Sequence, residues 1–374
     1  MLFTRRVRVA SAARAAASRP RRARARRLAA VGAALAAGAA AASCATTDTH
    51  RASTPGRQAA TTTSTLVPAT GVPLGVYGGP GDPGSVAKFA RLTGTRPSLG
   101  SDYLPSSKGW SGMTEAGPLA EFIAPWQGRG YRLVLGVPMM PSDHGSTQGS
   151  LAGGAAGAHD AQFRTLAETL VSYGEGDAIV RPGWEFNANW YPWAVSDPTS
   201  AAHYAAYFRR IVTAMRSVPG AAFTFVWNLT PGSSPVDLTL AYPGDAYVDY
   251  IGLDVYDQVW DVAQDPTDAW NSYLTEDYGL RWLSSFAAQH HRPLAIPEWG
   301  LAVRSDGHGL GDDPAFVAHM SDWLVAHHAA FSSYFDLNAP DGEHDITDGH
   351  FRHSLAMFKR AFSTTREAVL PASS

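Results

Sequence analysis

Two glutamates, Glu185 and Glu298, stand out as the residues best placed to do chemistry. Each follows an apolar run that reads as a strand, "AIVRPGWEFN" at 178–187 and "RPLAIPEWGL" at 292–301. A carboxylate left unpartnered behind such a run is strongly disfavoured, so both are expected to face a site rather than a core. Rings crowd them. Trp184, Trp190, Tyr191 and Trp193 surround the first in sequence, and Trp299 and Tyr256 are expected to flank the second. Flat rings stack on the apolar faces of pyranose units, and paired acids handle protons and oxocarbenium-like charge. The pattern therefore points to a cleft for sugars.

Each residue also has a plainer reading. Glu185 could pair with Arg181, although residues four apart on one strand lie about 13 Å apart along it. Glu298 could cap the following loop. Trp190, Trp193 and Trp299 are either substrate contacts or core, since large aromatics are commonly buried. Asp102 and Asp254 read equally as hydroxyl binders or turn residues, and Asn228 as substrate contact or loop anchor. The substrate-binding set expected here is Trp184, Trp190, Tyr256, Asn228, Trp299 and Asp102.

These residues need a scaffold that brings strand ends together. From residue 72, eight short apolar or β-branched runs alternate with amphipathic stretches, at 74–79, 96–104, 131–140, 178–187, 222–229, 248–257, 292–301 and 331–339. Stretches such as "AQFRTLAETLVSYG" and "SAAHYAAYFRRIVTAMRS" read as the intervening helices, and 351–363 as a closing one. Eight βα units over about 290 residues predict an α/β fold, a (β/α)8 TIM barrel over 72–365, with chemistry at the C-terminal ends of the strands. An open doubly wound sheet would want a glycine-rich phosphate loop after its first strand. "GVYGGPGDPG" has the glycines, but Pro80 and Pro83 spoil that fingerprint.

At this point a resemblance can be stated. "VRPGWEFNANWYPW" resembles the strand-four signature of glycoside hydrolase family 26, a largely β-mannanase family, which reads roughly R-P-x-H-E-M-N-G-x-W-x-x-W. "YPGDAYVDYIGLDVYD" is similar to that family's strand-six region, and "PLAIPEWGLA" resembles its nucleophile strand. The resemblance implies a retaining glycosidase acting on mannan or a related β-linked glycan, with Glu185 as proton donor and Glu298 as nucleophile. It implies that Trp190 lines the cleavage point and that the Tyr256 phenol holds the nucleophile. The chain departs from the signature at Trp184, where the family has a histidine expected to touch the sugar, and at Ala188, where it has glycine. A non-catalytic glycan-binding lipoprotein on the same barrel, or a transglycosylase, are the alternatives.

The rest of the sequence narrows the setting. Residues 1–44 hold ten arginines, no lysine and no acid, and include a 15-residue apolar run, Leu28–Ala42. This reads as an export signal, too short and alanine-rich for a good membrane span. Ala41-Ala42-Ser43-Cys44 resembles a bacterial lipobox, so Cys44 is expected to be lipidated, with free secretion the alternative. Residues 45–71 read as a flexible tether and 366–374 as a tail. The expected location is extracellular or anchored to the envelope, with any membrane contact through the lipid alone. Without residues 1–44 the chain holds 20 basic against 33 acidic residues, which argues against nucleic acid as a partner. Cys44 is the only cysteine, which leaves no disulfide framework or thiolate zinc site. His-Glu-x-x-His and calcium-loop spacings are absent, so no metal and no cofactor are expected. The partner expected is a polysaccharide or oligosaccharide, bound by a monomer.

Overall fold

The computed structural model describes residues 70–260 and 265–363. The expected export signal at 1–44 with Cys44, the expected tether almost to its end and the expected tail lie outside them. The eight expected runs become eight parallel strands: β1 (Leu74–Tyr77), β2 (Leu99–Tyr103), β3 (Arg132–Val137), β4 (Ile179–Pro182), β5 (Thr224–Leu229), β6 (Tyr250–Tyr256), β7 (Leu294–Gly300) and β8 (Ser332–Phe335). They pair in sequence order, and β1 closes on β8 from Leu74 opposite Ser332 to Tyr77 opposite Phe335. The chain is a closed (β/α)8 barrel.

Helices form the outer layer, and many of them start in the same way. Asp82-Pro83, Asp197-Pro198, Asp265-Pro266 and Asp313-Pro314 each open a helix, over Pro83–Thr93, Pro198–Arg216, Pro266–Thr275 and Pro314–Ala326. In each, the aspartate accepts hydrogen bonds from first-turn N–H groups that have no partner inside the helix. The proline supplies a helical φ where its missing N–H is not needed. The β5–β6 connection departs from the pattern, with two 3-10 turns, Leu238–Ala241 and Asp245–Tyr247, in place of an α-helix.

The barrel interior is layered. Near the N-terminal ends of the strands, Leu99, Val134, Ile179, Val226, Ala295 and Phe331 form an apolar plug. Side chains two and four residues further along a strand point the same way, so Ser101, Arg181, Asn228 and Asp254 come next, then Tyr103 and Tyr256. The hydroxyls of Ser101 and Ser333 meet across the barrel at 2.5 Å. This passage from apolar to polar places the chemistry at the C-terminal mouth.

Candidate active site

β4 stops at Pro182, five residues before the end expected from the sequence. Gly183 turns the chain with φ +58°, where a Cβ would lie 2.5 Å from the Met139 sulfur and 3.1 Å from the Tyr204 ring. Glu185 itself has φ +48°, a left-handed conformation that costs a non-glycine residue about 1–3 kcal/mol. It persists because the turn is pinned: the Glu185 N–H donates to the Asn228 carbonyl at 3.0 Å, and its carbonyl accepts from the Ala188 N–H at 2.8 Å. The 13 Å spacing that would separate Arg181 from Glu185 on one strand therefore does not apply.

Glu298 is aimed by a different device. Gly252 pairs with Ala295 but Asp254 pairs with Glu298, so β7 advances three residues while β6 advances two. The extra residue is a β-bulge around Ile296 and Pro297. Proline suits it, having no N–H to leave unpaired, and Gly252 makes room, since a Cβ there would lie 2.9 Å from the Pro297 ring. Unbroken alternation from Ala295 would send Glu298 outward. The bulge turns it into the barrel and sends Trp299 out instead.

The expectation that Trp299 contacts substrate is thereby corrected. Trp299 is fully buried between sheet and helices, against Phe316, Tyr334, Phe358 and Phe362. Two further expectations change for want of free polar atoms. The buried Asp102 carboxylate accepts from the Gly81 N–H at 2.8 Å, the Trp126 indole at 2.9 Å and the Tyr103 N–H at 2.8 Å. It holds the β1 loop and does not face the cleft. The Asn228 amide accepts from Arg181 Nε at 2.6 Å and donates to the Leu229 carbonyl at 3.1 Å, which makes it a positioning residue.

Arg181 is the hub, a role that its place in the sequence, four residues before Glu185, does not announce. Its Nη2 lies 2.5 Å from Asp254 Oδ2 and 3.6 Å from Glu298 Oε2, and its Nη1 donates to the Tyr103 hydroxyl at 3.1 Å. The Tyr256 hydroxyl donates to Glu298 Oε1 at 2.5 Å, and the Tyr103 hydroxyl donates to Oε2. Burial first, and the Glu298 charge second, push both phenols well above their ordinary range, so they remain donors. Burial opposes the Arg181 charge, but Asp254, Tyr103 and Glu298 together outweigh it and raise its pKa.

Glu185 has no comparable partner. Oxygens of Glu185, Asp254 and Glu298 all lie within 4.8 Å of one another. Burial, then the Glu298 charge, push the Glu185 carboxyl up to about 8, only partly offset by Arg181 and the Trp190 indole N–H. Three acids thus gather near one guanidinium, and burial with the Glu298 charge also pushes Asp254 up, against the pull of Arg181. The trio is also the one His/Cys/Asp/Glu group among the described residues close enough to share a metal ion.

Both carboxyls stay open to the mouth, with Glu185 8% exposed and the Glu298 side chain 12%. The rings divide into platform and wall. Trp190 is 49% exposed beside Glu185 and presents a free face, whereas Trp193 is buried. Trp184 is 6% exposed between Tyr103, Tyr191 and Trp193, and its indole N–H donates to the Tyr191 hydroxyl at 2.9 Å. It builds the wall behind the site and has no face left for stacking.

Residues 163–276 match the family described as Glycosyl hydrolase family 26. That span includes Glu185, Asn228 and Tyr256 and ends before Glu298. A mannan endo-1,4-beta-mannosidase of Bifidobacterium adolescentis is 31% identical over 154 residues, covering 39% of this chain and 15% of the relative. Endoglucanase H of Acetivibrio thermocellus is 30% identical over 151 residues, covering 39% of this chain and 16% of the relative. The chain thus spans about a sixth of the length of these curated relatives. Among solved structures, the catalytic domain of the Bacillus sp. JAMB-750 family 26 endo-β-1,4-mannanase superposes with a TM-score of 0.55 at 17% identity, over 77% of this chain and 85% of that one. A Cellulomonas fimi endo-β-1,4-mannanase does so at 0.53 and 18%, over 77% and 70%. These likenesses bear on the fold.

Proposed function

We propose that this chain, a member of glycosyl hydrolase family 26, cleaves a β-linked polysaccharide, mannan or a related glycan, by a double displacement that retains anomeric configuration. The reading is carried by one observation: two carboxyls with oxygens no more than 4.8 Å apart at the barrel mouth, in opposite environments. Retaining enzymes keep their acids about 5–5.5 Å apart and inverting ones about 6.5–9.5 Å, the larger gap leaving room for a water. Glu185, its pKa pushed up to about 8, holds a proton at neutral pH and gives it to the departing glycosidic oxygen. Glu298, oriented by Tyr256 and Tyr103, attacks the anomeric carbon and forms a glycosyl ester as the C–O bond to the leaving group breaks. Glu185 then takes a proton from water, which attacks the same carbon and releases Glu298. Trp190 supplies the ring on which a sugar stacks.

Export through the N-terminal segment and anchoring by a lipid on Cys44 belong to the same proposal and rest on the sequence. Cys44→Ala should move the protein from the membrane fraction to the medium.

The test of the reaction is a screen of the purified chain on mannans, mixed-linkage glucans and envelope glycans. Glu298→Ala should abolish turnover, and azide should restore it with a product of inverted configuration. Tight binding without cleavage of any glycan would instead favour a binding protein. An inverted product from the unaltered chain would refute the double displacement.

A further inference from the structure

We propose that Trp260, with Arg304 and Asp341, forms a sugar-binding subsite at the cleft rim, taking a glycosyl unit of the substrate chain remote from the bond being cleaved. This rests on the glycosidase reading and names residues in that site that no likeness assigns. Trp260 follows β6 and is 55% exposed, the most exposed large apolar side chain among those described. One face lies against the His308 ring at 4.0 Å, with an interplanar angle of 29°. Even with that contact, more than half of the residue is open to solvent. The stacked partner is itself fixed to the residue before the indole. The His308 Nδ1 is 2.7 Å from the Val259 carbonyl, and the Val259 N–H donates to the His308 carbonyl at 2.9 Å.

The polar groups beside it are also fixed. The Arg304 guanidinium lies over the Trp260 ring, 5.5 Å from its centroid, and is held by both oxygens of Asp306, at 3.1 and 2.8 Å. Its Nη1 donates to Asp341 Oδ2 at 3.2 Å, while the Asp341 side chain is 56% exposed. An exposed ring beside a pinned guanidinium and an open carboxylate offers a stacking face with donors and acceptors for hydroxyls. That is the chemistry of a saccharide contact rather than of a protein-binding patch, in which charges at the centre are few.

Asp341 also ties the platform to the cleft. It lies 3.5 Å from the buried His344, whose ring packs edge-on against Tyr256 at 5.1 Å, and Tyr256 holds Glu298. The negative charge of Asp341 reaches Glu185 as well. A glycan threaded past Trp190 and over the two acids has Trp260 within reach on the β6–β8 side. Trp260 then takes a sugar beyond the one being cleaved, and its effect falls on longer chains.

The experiment compares Trp260→Ala with the unaltered chain on a trisaccharide and a hexasaccharide of β-1,4-linked mannose, with the β-1,4-glucose pair run in parallel. Loss of one stacking contact should raise KM for the hexasaccharide about 3- to 10-fold, with kcat within twofold and the trisaccharide unchanged. Trp260→Phe should recover most of the loss. An equal KM change on both lengths, a fall in kcat, or no change on either would overturn the subsite while leaving the glycosidase reading intact. Failure of the unaltered chain to cleave any of the four would overturn both.

Discussion

Glu298→Gln should lower the pKa of Glu185, by an amount the geometry sets. With oxygens no more than 4.8 Å apart, one unit charge acts on the other with about 3.5 kcal/mol at an effective dielectric of about 20, equivalent to about 2.5 pKa units. Arg181, 3.6 Å from Glu298, screens part of that, so a fall of about 1 to 2.5 units is expected. Burial, the larger cause of the upward shift, remains in the variant. The carboxyl should therefore move from about 8 to about 5.5–7 and not return to the ordinary glutamate range. Titration by carbon-13 NMR of labelled glutamate side chains, in both forms, reads this directly. A fall below half a unit, or a rise, would show that Glu298 does not set the protonation of Glu185. The sign carries into kinetics. Glu185 must hold its proton to act first, so activity of the unaltered chain should be full below its pKa and decline as pH rises through about 8.

Three other outcomes follow from the same network. The folded state keeps on Glu185 a proton that the unfolded chain releases near pH 4.5, so this group weakens the fold increasingly as pH rises from there to about 8. Glu185→Gln should stabilise by about 3 kcal/mol at pH 7 and hardly at pH 4, as calorimetric midpoints at several pH values would record. Arg181→Met leaves Asp254 buried without its cation and should cost about 3–5 kcal/mol in denaturant unfolding, besides removing activity. Trp299→Ala should cost about 3–5 kcal/mol of stability, whereas Trp190→Ala should leave the melting midpoint nearly unchanged and raise KM. A KM effect at the first with no loss of stability would contradict the outward placement of Trp299.

The barrel was legible in the sequence because each strand and its helix announce themselves locally, by alternation and by caps such as Asp197-Pro198. The site was legible in its acids and less so in its aim. Gly183 before Trp184 was a readable sign that β4 ends early, since a strand interior disfavours glycine. The bulge in β7 has Pro297 as its only local mark, and its partner is Gly252, 45 residues earlier. No pattern within β7 says that Trp299 faces outward, because the bulge breaks the two-residue period on which such a reading depends. Asp102, Asn228 and Arg181 were visible as polar residues at strand ends. What each one holds is decided largely by neighbours 21 to 117 residues away, such as Gly81, Asp254 and Glu298, and these meet only when the barrel closes.

Trp184 bears on which glycan fits. At the position where the resemblance implies a histidine reaching for the sugar, this chain has an indole whose one polar atom already donates to Tyr191. Its ring packs on Tyr103, whose hydroxyl accepts from Arg181 and donates to Glu298. Trp184 therefore supports Tyr103 behind Glu298 and offers the cleft no free hydrogen-bonding atom. Recognition of the reacting sugar must then fall to polar atoms other than the one that Trp184 has already committed to Tyr191. Trp184→His would restore a ring nitrogen but would also open the wall between Tyr103 and Trp193. Retained cleavage chemistry with altered sugar preference is the combination this arrangement favours, because the acids are held by Arg181 and the two phenols, none of which depends on the atom that Trp184 lacks.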